Sequence, residues 1–271
     1  MKLKEIPYSI FHSFRLRHFR RSSKRWVKIP VIISLTSIPS RLPLLDIVIA
    51  SLLEQTSRPE KIILWLNYSL KNKIPKHLMD LQNEVFSIQY CSGTSSFRKL
   101  LPTLAVPEYK DSIIVTCDDD MIYPKNWLNS LYLGHLNHPE CVISQVGRLI
   151  GRDNNKELIP YNEWEFIRNE YVGASFLPIG YGGVLYPKNI FNEQVFDEEV
   201  FMALCPKADD LWFKAMSYLN GKKTYCVSEK ARPIPILRSQ KVSLNSSNIK
   251  RDGNRIQWQA LCKHYPSLRN I

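Results

Sequence analysis

The sequence predicts an α/β protein with a mostly parallel sheet flanked by helices. Two observations carry this. Short apolar, β-favouring runs recur through the first half of the chain and end in small or polar residues. Segments with apolar residues at helical spacing separate them, and strands alternating with helices imply parallel crossovers. At 271 residues and 44% hydrophobic composition, the chain can bury a substantial core as one domain in two lobes.

The elements follow in order. Residues 1–30 form a basic leader in which Ile10, Phe11 and Phe14 share one helical face among arginines. The ordered domain begins at "VIISLTSIP", a strand, followed by the helix "LPLLDIVIASLLEQ", which "SRPE" stops. "KIILWLN" is the next strand, "PKHLMDLQNEV" a short helix and "FSIQYCS" a third strand. After "RKLLPTL", the strand "DSIIVTC" runs into Asp118, Asp119 and Asp120, and a helix starts at Pro124. Beyond residue 140, "CVISQVGRLIG" reads as a strand pair, "LIPYNEWEFI" as irregular, and "FLPIGYGGVLYPKNIF" as Gly-rich and aromatic. "ADDLWFKAMSYLNG" is a helix closed by Gly221, and a last amphipathic helix spans about Arg255 to His264.

Composition narrows the function. No apolar run is long enough to cross a bilayer, and the N-terminus has no apolar core followed by a small-residue cleavage site. The six cysteines are scattered without a CxxC pair, so they read as reduced core residues, which favours the cytoplasm. The net charge of +12 is uneven: residues 1–30 hold nine Lys/Arg against one acid, while the rest is nearly balanced. No nucleic-acid partner is expected, because such binders more often spread charge over a face. Aromatic residues interleaved with basic ones fit a helix attracted to an anionic membrane surface, hence a peripheral site on the inner face of the cytoplasmic membrane.

Three adjacent aspartates after a strand repel one another. They are either a solvated turn or hard oxygen ligands for a divalent cation. In open α/β sheets, ligands bind beyond the carboxyl ends of the strands, where both "LTSIPSR" and "DDD" fall. A nucleotide there would meet the Thr36 and Ser37 hydroxyls and Arg41, with a cation on Asp118 or Asp120 at its phosphates.

With "LTSIPSR", "SLLEQTSRPEKIIL", "IIVTCDDDMIYPKNWL", "GYGGVLY" and "ADDLWFKAM" in this order, the chain resembles nucleotide-sugar-dependent glycosyltransferases of the GT-A fold, close to the family-2-type enzymes of bacterial surface polysaccharides. The likeness runs from about Val31 to the end. It implies a Rossmann-like nucleotide-binding half (about 31–125) and a smaller acceptor half (about 126–271). It implies Mn²⁺ or Mg²⁺ as cofactor, with metal ligands Asp118 and Asp120, while Asp119 could share the work of either. Thr36, Arg41 and Lys99 match the nucleotide-binding edge, and Gly182 and Gly183 permit close backbone approach in the donor-sugar loop. Of the pair in "ADDLW", Asp210 is the expected general base and Asp209 its structural or acceptor-binding partner. The family's late metal-binding His is missing; Lys250 or Arg251, in the polar stretch "SLNSSNIKRDGN", could reach the diphosphate instead.

The resemblance implies a sugar, UDP-activated by preference, passed to a glycan or lipid-linked acceptor in capsule, lipopolysaccharide or related synthesis, with inversion. Two other classes compete. A metal-dependent nucleotidyltransferase would carry a Gly-rich phosphate loop, and "LTSIPSR" has no glycine. A non-catalytic basic adaptor for membrane or RNA leaves the aspartates and the Gly-Gly loop unexplained.

Overall fold

Residues 3–18, 27–93, 95–228, 232–237, 239, 248 and 251–271 are described by a computed structural model of the chain. Helix α1 (Ile6–Arg17) and strand β1 (Val27–Lys28) come first. The chain then alternates through β2 (Val31–Thr36), α2 (Leu45–Leu53), β3 (Ser57–Arg58), β4 (Lys61–Asn67), α3 (Lys76–Met79), β5 (Phe86–Cys91), α4 (Leu101–Ala105) and β6 (Ile113–Thr116). After the aspartates come β7 (Met121–Ile122), α5 (Trp127–Asn137), β8 (Val142–Ser144), β9 (Gly147–Leu149), β10 (Phe166–Ile167), β11 (Tyr171–Gly173), β12 (Phe176–Pro178) and β13 (Val184–Tyr186). The fold closes with α6 (Glu198–Leu204), α7 (Asp209–Leu219), β14 (Thr224–Cys226), β15 (Ile234–Pro235) and α8 (Gly253–His264).

One eight-stranded sheet has the order β11-β14-β8-β13-β6-β2-β4-β5. It is mixed, with four of its seven strand pairings parallel. β5, β4, β2 and β6 run parallel, as their helical crossovers require, and β14 runs parallel to β8. β13 is antiparallel to both β6 and β8, and β11 is antiparallel to β14. Strands from both halves of the chain therefore share one sheet.

Period-two alternation divides the core between the sheet's faces. Val31, Ile33, Leu35, Val115, Ile143 and Leu185 pack on one face with α2 and α5 residues such as Val48 and Leu131. Ile114, Val142, Val184 and Tyr186 point to the other, against Trp212, Phe213 and Trp258 of α7 and α8. On that second face Ser34 Oγ meets Thr103 Oγ1 at 2.7 Å, and Thr103 also accepts from Trp65 Nε1 at 2.7 Å, so the polar break in β2 is satisfied.

Some boundaries shift for local reasons. The helix expected over "PKHLMDLQNEV" is one turn, because the Asn83 side chain accepts from Val85 N and Phe86 N and turns the chain into β5. Gly221, at φ +73°, ends α7 as expected.

Within the N-terminal segment, helix α1 is packed on the domain. α1 lies against α2 and the β7–β15 ribbon, with Ser9 and Leu16 buried. Arg15 grips the Glu54 carboxylate at 2.5 and 2.6 Å, and Ser9 Oγ accepts from Leu237 N at 2.9 Å. Burial would raise the pKa of Glu54, but Arg15 and Lys125 overcome it and lower it. Further along, β1 pairs with β3. No helix among the described residues is long and apolar enough to cross a membrane.

Candidate functional site

Topology brings the sequence motifs to one edge. β2 and β6 are parallel neighbours, so their carboxyl ends release residues 37–44 and 118–120 side by side. β13 runs the other way and starts at Val184 opposite Thr116. The loop that feeds it, residues 180–183, thus arrives at the same edge. The N-terminus of α7 supplies Asp209 and Asp210 from above, and a 3-10 turn (Ser96–Lys99) carries Lys99.

Lys99 and Arg41 divide five carboxylates between them. Lys99 Nζ lies 2.8 Å from Asp209 Oδ2, 3.3 Å from Asp210 Oδ1 and 3.5 Å from Asp118 Oδ1. Burial alone would favour the neutral amine. The three carboxylates reverse this and raise the Lys99 pKa well above its ordinary value. Arg41 reaches across from the loop after β2, pairing with Asp119 and lying 2.9 Å from Asp120 Oδ2. Ser37 Oγ donates to Asp119 at 2.5 Å. Burial still pushes the Asp119 pKa upward against these partners.

Asp210 differs from its neighbour in two ways that matter chemically. Its side chain is 25% exposed against 9% for Asp209, so it can meet a ligand while Asp209 faces Lys99. Burial, opposed by Lys99 and reinforced by Asp209 and Asp118, pushes its pKa up to about 6. Gly180 N donates to Asp210 Oδ2 at 2.9 Å and fixes the carboxylate's orientation. A carboxylate that is ionised at pH 7 yet more basic than usual is suited to taking a proton.

These groups border a cavity of about 850 Å³, within the range of small-molecule and cofactor sites. Thr36 lines it too, but its hydroxyl donates to Trp65 O at 2.8 Å in the neighbouring strand. Gly182 and Gly183 are turned elsewhere. A Cβ on Gly182 would meet the Val146 side chain at 2.6 Å, and one on Gly183 (φ +88°) would meet the Trp127 ring at 2.4 Å. Trp127 Nε1 donates to Gly182 O at 2.8 Å, so this Gly-Gly pair seats an indole rather than lining the cavity. Arg251 is exposed and outside the cavity wall, and Lys250 lies outside the described residues.

Sequence reasoning passed over Arg98 and Tyr123, and took Gly180 only as the start of the "GYGGVLY" loop. Arg98 is buried and donates to Gly93 O at 2.9 Å and Ser37 O at 3.4 Å, tying two cavity loops together. Tyr123 OH accepts from Asp118 N at 2.9 Å and lies 3.3 Å from Tyr181 O, so it braces the acidic turn against the glycine loop. Tyr123 sits within "DDDMIYP" and Arg98 adjoins Lys99, so their place beside the motifs was the available signal.

Asp118 and Asp120 offer the hard oxygens that Mg²⁺ or Mn²⁺ requires. Asp118 is 34% exposed toward the cavity, while Asp120 already contacts Arg41. Among the described residues, no group of three or more His, Cys, Asp or Glu is disposed to hold a metal ion. The donor set fits a hard cation in kind, with phosphate oxygens and water needed to complete its shell. In comparisons with known proteins, the chain matches no family model and no curated protein.

Proposed function

We propose that the protein is an inverting glycosyltransferase of GT-A type. It would move a sugar from a nucleoside diphosphate, UDP by preference, to a glycan or lipid-linked saccharide of a bacterial surface polysaccharide. The observation that carries this reading is the convergence of Asp118, Asp209 and Asp210 on buried Lys99 at the floor of the cavity. An adaptor has no use for so many buried charges, each costly to desolvate.

The donor's diphosphate lies over the loops after β2 and β6, where Arg41 and Lys99 offset part of the charge of the five aspartates. Asp118 and Asp120 would hold a divalent cation there, which when bound supplies further charge neutralisation for the leaving diphosphate. Asp210 accepts the proton of the acceptor hydroxyl as that oxygen bonds to the anomeric carbon. The bond from that carbon to the diphosphate oxygen breaks on the opposite side, and the electron pair leaves with the nucleoside diphosphate. Asp209, turned to Lys99, keeps the lysine beside both Asp210 and the phosphate end.

A thermal-shift series with UDP, GDP and dTDP, each with and without Mn²⁺, tests the reading. A ligand at about 100 times its Kd adds about 2.7 kcal/mol to apparent stability. If no nucleoside diphosphate raises Tm under either condition, the donor site and the reading both fail.

A further inference from the structure

The side of α1 that meets the protein is its less apolar side. Ser9 and Leu16 are buried against the domain, while Leu3, Ile10, Phe11 and Phe14 are 86%, 53%, 63% and 69% exposed. Positions 7, 10, 11 and 14 fall on one helical face, and all four are apolar and exposed. Tyr8 borders the same face and is exposed as well. Contiguous exposed apolar surface of this kind marks an interaction site rather than scatter. The helix cannot roll to hide it, because the Arg15–Glu54 pair, the Ser9–Leu237 hydrogen bond and buried Leu16 hold the opposite side.

We propose that α1 docks the protein on an anionic bilayer, with Ile10, Phe11 and Phe14 entering the boundary between headgroups and acyl chains. Charge identifies the partner. The stretch from residue 1 to 30 holds nine Lys/Arg against one acid; Arg15 and Arg17 are taken up by Glu54 and Asp46, and the excess that remains matches an anionic headgroup layer and repels a second copy of the same surface. The docking helix is tied to the cavity in two steps. Ser9 holds Leu237 N, and the next residue back, Ile236, donates its N–H to Asp120 O at 2.9 Å. Glu5, just before α1, borders the cavity itself. A bilayer under α1 therefore lies beside the cavity mouth. On the transferase reading, which this last point alone depends on, the acceptor is lipid-borne and is met at the membrane plane.

The experiment is co-sedimentation of the full chain with phosphatidylcholine vesicles and with vesicles that also contain phosphatidylglycerol, at low and high salt. The variants are Phe11→Glu/Phe14→Glu and, independently, Ile10→Glu, with analytical ultracentrifugation of each protein alone. All changed residues are exposed, so Tm should hold. We expect binding to the anionic vesicles that weakens with salt, as screening over about 8–10 Å requires, and a loss of roughly tenfold or more in each variant. Equal binding of wild type and variants, or no binding by wild type, overturns the proposal. A wild-type dimer that the variants convert to monomer assigns the face to a second copy and overturns it too. So does binding to RNA, lost in the same variants, with no binding to vesicles. Nucleotide thermal shifts in the absence of vesicles report on the transferase reading separately.

Discussion

A β-carbon added to Gly180 would stand 2.6 Å from Lys99 Nζ, and 3.1 and 3.2 Å from the Asp118 and Asp210 carboxylates. The absence of a side chain at Gly180 is what lets the lysine sit among its three acids. Gly180→Ala is expected to displace the ammonium and cut transfer by about 10²-fold, the scale of a misplacement near 1 Å, with little change in Tm. Gly183→Ala should do the reverse. Its positive φ and the Trp127 ring predict a loss of about 1–3 kcal/mol in stability, seen in urea unfolding, with the surviving folded protein still active. Two variants with the same profile would remove this division of labour.

The metal expectation is checked by titrating EDTA against transfer and restoring it with Mn²⁺ or Mg²⁺. Asp120→Asn should weaken the Mn²⁺-dependent part of the UDP thermal shift while leaving the metal-free part, which Arg41 and Lys99 support. Undiminished transfer in EDTA would leave those two cations as the whole of the phosphate site.

Much of the site was legible because strand ends and acidic runs are local features. β4 holds a continuous apolar run between Lys61 and Asn67, and β5 opens with apolar Phe86 and Ile88 alternating with polar Ser87 and Gln89, so both were readable as strands. The antiparallel entry of β13 was not legible, since "VLY" pairs across β6 and β8 through contacts 68 and 40 residues away in sequence. That pairing brings Gly180 to the acids and turns Gly182 and Gly183 onto Trp127. The sequence shows that glycines are present but not which one stands beside Lys99 and the acids. Likewise, the charge of residues 1–30 was plain, whereas the docking of α1 through Ser9 depends on a backbone N–H at residue 237.

Lys214 is a further buried amine with no carboxylate paired to it among the described residues. It is 2% exposed and donates to Thr224 Oγ1 at 3.1 Å, and burial lowers its pKa to about 7. The unfolded chain, with an ordinary lysine pKa near 10.5, holds more protons between those values, so stability should rise as pH climbs from 7 toward 10. Lys214→Met should flatten that rise and gain up to roughly 4 kcal/mol at pH 7. Chemical denaturation across this pH range reads it directly. A wild-type profile that is flat or falling would mean the amine is solvated in solution.

The pair in "ADDLW" separates by pH. With the Asp210 pKa near 6, kcat/KM for wild type should fall on the acid side of about pH 6. Lys99→Met removes the cation that favours ionised Asp210, so the limb should move to higher pH. Asp209→Asn removes a like charge, so the limb should move lower, while loss of the 2.8 Å pair with Lys99 costs roughly 1.5–3 kcal/mol. Asp210→Asn should lower kcat by about 10²- to 10⁴-fold and abolish the limb. Its stability effect has the opposite sign to that of Asp209→Asn. A carboxyl whose folded pKa is raised binds its proton better in the native state, so wild-type stability falls as pH rises from 3.8 to about 6 and stays lower above it. Asparagine escapes that loss and still accepts from Gly180 N, so Asp210→Asn should melt higher than wild type at pH 8 and lose this advantage below pH 4. A dead variant that is also more stable is what a base held under electrostatic stress requires. If Asp209→Asn shows that combination and Asp210→Asn does not, the base is Asp209.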